Sequence, residues 1–78
     1  VEYFLAPRDR DPRIVVIKDR LGIVPSNDEF DERLAQRIRG LQAIHGLEVN
    51  SRISEELIRK VPSLSDIDCT YRFERASR

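Results

Sequence analysis

His45 is the one histidine of the chain and Cys69 the one cysteine. An imidazole works as a catalytic base only beside a nucleophile, with a group to orient it. No such partner is identifiable around His45. A zinc site takes about three or four ligands in a recognisable spacing. One His and one Cys, 24 positions apart, do not supply it. The acids Asp28, Glu29, Asp31 and Glu32 form a dense group, but a calcium loop needs a set ligand spacing and a central glycine. Acids at a helix start are the ordinary explanation, because they oppose the positive end of the helix dipole. The residues therefore predict no catalytic set, no metal and no cofactor. His45 reads as a helix-end residue and Cys69 as a small buried hydrophobe.

Recognition chemistry is the other possibility. Asn50, Ser51 and Arg52 form a polar loop able to meet a sugar amide or a peptide carboxylate, although Asn and Ser are commonly plain turn residues. Gln42 follows the apolar Leu41. Tyr3, Tyr71 and Phe73 are aromatic residues of the two terminal segments, suited to packing on the helices, between the segments, or on a partner. With His45, these are the candidate ligand or partner contacts.

The elements that position them follow from pattern. Asp11-Pro12 opens a helix, Asp as N-cap and Pro at the first helical position. Ile14, Ile17 and Leu21 repeat at three and four residues, and Gly22 suits a left-handed cap. The β-branched Val15 and Val16 argue for a strand, but the caps favour a helix over Pro12–Leu21. Pro25-Ser26-Asn27-Asp28 is turn material. A second helix is predicted over Asp31–His45, with Leu34, Ile38, Leu41 and Ile44 or His45 on its buried face and Gly46 as its stop. Glu29 and Arg33 are four apart and suited to pair. Gly40 inside this helix implies close approach of another element, since glycine there costs about 1 kcal/mol relative to alanine. Ser54 caps a third helix over Glu55–Val61, acidic at its start and basic at its end, and Pro62 follows. Cys69, Tyr71 and Phe73 alternate with polar residues as a strand does, and so do Val1, Tyr3 and Leu5. The two arms are expected to pair with each other on the helices, or to add to a partner's sheet.

The predicted fold is mainly α: an extended arm and linker over 1–11, a three-helix domain over 12–61, and a loop, short strand and tail over 62–78. The expected core is Ile14, Ile17, Leu21, Leu34, Ile38, Leu41, Leu47, Val49, Ile53 and Leu57. Seventy-eight residues allow one small domain. Fourteen basic residues balance fourteen acidic ones, with the signs interleaved. That predicts no nucleic-acid partner, which would call for a basic face. No apolar run reaches the length of a membrane span, so no membrane partner is expected. Residues 1–5 are too short for the apolar part of a signal peptide, so no export signal is expected.

The middle of the chain resembles the short three-helix type of peptidoglycan-binding domain. The features are Ile14, Ile17, Leu21 and Gly22 in the first helix, Phe30-Asp31-Glu32 at the entry to the second, and Leu41-Gln42 where the family has Phe-Gln. His45-Gly46-Leu47 is the stop, and Val49 and Ile53 lead into the last helix. Asn50-Ser51 stands where the family has Asp-Gly, and Lys18 where it has a Gln. The resemblance spans Pro12 to Val61. It implies a three-helix fold in which Gln42 ties a loop to its helix. It also implies a non-enzymatic binding role of one of two kinds. One is a docking protein inside a larger assembly, with protein partners such as those of a phage capsid or tail and the virion as its location. The other is a module that binds cell-wall peptidoglycan, in the wall or outside the cell.

Overall fold

A computed structural model describes residues 3–69. The elements in order are strand β1 (Tyr3–Leu5), helix α1 (Pro12–Leu21), helix α2 (Glu32–Ile44), strand β2 (Ile53–Ser54), helix α3 (Glu55–Lys60) and a 3-10 turn at Pro62–Leu64. The caps explain the helix boundaries. Asp11 accepts from the Arg13 N–H and Pro12 occupies the first turn, while Gly22 closes α1 at φ 74°. Asp31 accepts from the Leu34 N–H at the start of α2, and Ser54 from the Leu57 N–H at the start of α3. Each side chain satisfies a backbone donor that the helix itself leaves without a partner. Val15 and Val16 lie in the helix, on its exposed side.

β1 and β2 pair antiparallel, Tyr3 opposite Ser54 and Leu5 opposite Ile53, with an irregularity between. The first segment therefore pairs with residues of the helical middle. Its Phe4 and Leu5 are buried in the same core as Ile14, Ile17, Leu34, Ile38, Ile53 and Leu57. A second seam joins the following chain to the turn before α2: Arg8 N–H donates to Phe30 O, Phe30 N–H to Asp9 O and Asp11 N–H to Asp28 O. Tyr71 and Phe73, and with them most of the expected C-terminal strand, lie outside the described residues. Cys69 is half-buried against the core and belongs to no strand.

Several expectations about the core are corrected. Leu21, Leu41 and Leu47 are only partly buried, and Val49 and Ile44 face solvent, at 51% and 76% exposure. The reason lies in the helical repeat. Leu34, Ile38 and Gln42 are four residues apart and form one line toward the core, so Gln42 takes the place where the pattern suggested Leu41. Phe30, Ile23, Ala35, Ile58, Val61 and Leu64 complete the interior. Gly40 faces open space, with nothing within 4 Å of an added Cβ, so no neighbour requires it. The Glu29–Arg33 pair does not form. Glu29 precedes the helix and lies 3.7 Å from Arg10, while Arg33 reaches the Val24 carbonyl at 2.6 Å.

The buried cation is the least expected feature. Lys18 lies one residue from Ile17 and four from Ile14, on the buried stripe of α1, with no solvent exposure. Its ammonium donates to Asn27 Oδ1 at 2.5 Å and to Asp31 Oδ2 at 2.9 Å. Partial burial pushes the Asp31 carboxyl up. The Lys18 ammonium and the Leu34 N–H outweigh it and hold the group below the usual aspartate value. One carboxylate thus caps α2 and neutralises a lysine of α1.

Candidate functional site

Gln42 holds the loop between α2 and β2. Its Nε2 donates to Asn50 Oδ1 at 2.9 Å and to the Arg52 carbonyl at 2.8 Å. Its Oε1 accepts from the N–H groups of Asn50 and Ser51, both at 3.0 Å. A carboxamide offers two donors and two acceptor sites, and all four are engaged here. The loop closes further on itself. Asn50 Oδ1 also accepts from the Arg52 N–H, and Ser51 Oγ donates to the Asn50 carbonyl. Ser51 sits at φ 61°, a left-handed conformation that a glycine adopts more easily.

The β1–β2 pairing brings Tyr3 to this loop. The Arg52 guanidinium lies over its ring, 4.6 Å from the centroid, where the ring's negative face attracts a cation. Tyr3, Gln42, Leu47, Glu48, Asn50, Arg52, Ser54 and Glu56 line a small cleft of about 40 Å³, open to solvent. Five of the predicted contacts therefore converge: Tyr3, Gln42, Asn50 and Arg52 on the cleft, and Ser51 in the loop beside it. His45 does not line it. It follows the last residue of α2 as its cap, half-buried, its N–H donating to the Leu41 carbonyl. Glu48 and Glu56 were not anticipated, and they give the rim acidic groups beside Arg52.

The acidic group is dispersed. Asp28 and Glu29 face Arg10, Asp31 faces Lys18, and Glu32 faces Arg39. Among the described residues, no group of three or more His, Cys, Asp or Glu could hold a metal ion. Near the other end of β1, Arg13 forms a two-pronged contact with the buried Asp11, both distances 3.0 Å, and lies 4.9 Å over the Phe4 ring. Burial pushes the Cys69 thiol up, and Glu55 adds to that shift, which is the opposite of thiolate activation.

A separate pair stands on α2. Arg33 and Arg37 are four residues apart and border an open cleft with Gly22, Ile23, Val24 and Gln36. Neither has a carboxylate partner among the described residues. Comparison with protein-family models, curated proteins and solved structures found no match to this chain.

Proposed function

We propose that this chain is a non-catalytic docking protein with a peptidoglycan-binding-like helical fold, a small structural component of a larger assembly such as a phage virion, in its capsid or tail. The observation that carries this reading is the closed hydrogen-bond circuit of Gln42. The Gln42 amide is engaged by its own loop and offers no free donor or acceptor to a ligand, and Arg52 is stacked on Tyr3. The cleft they leave is small. The outward groups nearby, Ile44 and Val49, are apolar, as suits a protein contact more than a hydrated sugar chain.

Sedimentation with purified cell-wall sacculi tests the reading, paired with photo-crosslinking residues placed singly at Ile44, Val49 and Glu56 of the chain in its source cells. The expected outcome is no retention on sacculi, no release of muropeptides, and adducts of defined mass from Ile44 or Val49 but not from Glu56. Retention at moderate salt that is lost in Asn50→Ala would instead establish wall-glycan binding.

A further inference from the structure

The cleft beside α2 carries a chemistry of its own. Arg10, Arg13, Arg20, Arg39 and Arg59 each have a carboxylate partner. Arg33 and Arg37, like Arg8 and Arg52, have none among the described residues. Arg33 donates to the Val24 carbonyl at 2.6 Å, and Arg37 to the Leu21 carbonyl at 2.9 Å. A guanidinium has five N–H donors, so one such bond leaves each head group most of its donors. Side chains four apart on a helix lie on the same face. The two cations thus border one open cleft. Val24, 70% exposed, stands beside them as an apolar surface, and Ile23 lies buried beneath.

Resting on the docking reading above, we propose that Arg33 and Arg37 form the seat for an acidic segment of a partner protein, with two carboxylates meeting the guanidiniums and an apolar side chain resting on Val24. Paired arginines recognise carboxylates through parallel N–H···O bonds. The apolar neighbour favours a peptide over a nucleic-acid backbone. So does the balance of fourteen basic and fourteen acidic residues, because a polyanion binder carries a broader basic field.

The test is a titration followed through the arginine Nε–H and backbone amide resonances. The probe is a capped Glu-Leu-Glu peptide. The comparators are the Gln-Leu-Gln peptide, inorganic phosphate and a short single-stranded oligonucleotide. The Arg33, Arg37 and Val24 signals are expected to move together while Arg10 and Arg20 stay still, with affinity near about 1 mM, as suits a contact this small. Val24→Glu places a competing carboxylate beside the pair from an exposed position while leaving both arginines in the chain. It is expected to weaken the peptide about ten-fold or more, the scale of losing charge-assisted hydrogen bonds. Three results overturn the proposal: equal binding of the glutamine peptide, stronger shifts with phosphate or the oligonucleotide, or no shift up to about 10 mM. If the peptide fails while adducts from Ile44 persist, the docking role stands and this cleft is not its surface. If the adducts fail too, the docking role itself falls.

Discussion

Lys18 offers the sharpest test of how this small fold is held together. Its ammonium is fully buried between α1 and the start of α2 and has two partners, Asn27 and Asp31. Asp31 keeps 31% of its side chain exposed, so the two ends of the pair should respond unequally. Lys18→Met removes the charge, retains most of the buried stem, and leaves a carboxylate that water can reach. A cost of about 1–2 kcal/mol is expected, from the lost charge-assisted hydrogen bonds. Asp31→Asn retains the cap, since Asn caps a helix as well as Asp does, but it leaves the ammonium buried without a counter-charge. Breaking a buried pair in this way costs about 3–5 kcal/mol.

A domain of 78 residues has a total stability of about 4–12 kcal/mol, so Asp31→Asn should unfold readily in urea. Far-UV circular dichroism across a urea series, with unchanged slopes, measures both variants. The acid side adds a second readout. The folded-state value of Asp31 is depressed. Its contribution is therefore present above the unfolded aspartate value near about 3.9 and is lost as pH falls below it. Asp31→Asn should flatten that acid limb. Lys18→Met proving as costly as Asp31→Asn would refute the reasoning.

Three further outcomes are expected. Gly40→Ala should stabilise by about 0.5–1 kcal/mol in thermal or urea unfolding, because the added Cβ meets nothing in an exposed helix interior. Ile38→Ala should cost about 2–5 kcal/mol, and Leu41→Ala clearly less in the same assay, because Ile38 is fully buried and Leu41 only partly. Gln42→Ala should lose about 1–3 kcal/mol. Hydrogen exchange should show the Asn50 and Ser51 amides losing protection first, since both donate to its Oε1.

The sequence by itself determined the three helices almost to the residue. Asp11-Pro12, Gly22, Asp31 and Ser54 are local signals, and the backbone groups they satisfy lie within a few positions along the chain. It also pointed to the 50–52 loop, because turn residues are visible in one dimension, and the resemblance pointed to Gln42. The tertiary structure alone decided which apolar residues reach the interior. Leu41 and Gln42 differ by one helical step of 100°, and only the position of the neighbouring loop sets which of the two faces it. Tertiary structure likewise decided that β1 pairs with Ile53–Ser54, since strand pairing depends on what folding brings alongside. The sharpest divide is among the charges. Evenly mixed signs conceal which cation is neutralised. A lysine on an apolar stripe finds Asp31 thirteen positions away, while Arg33 is separated from the glutamate four residues before it because the helix begins only at Glu32.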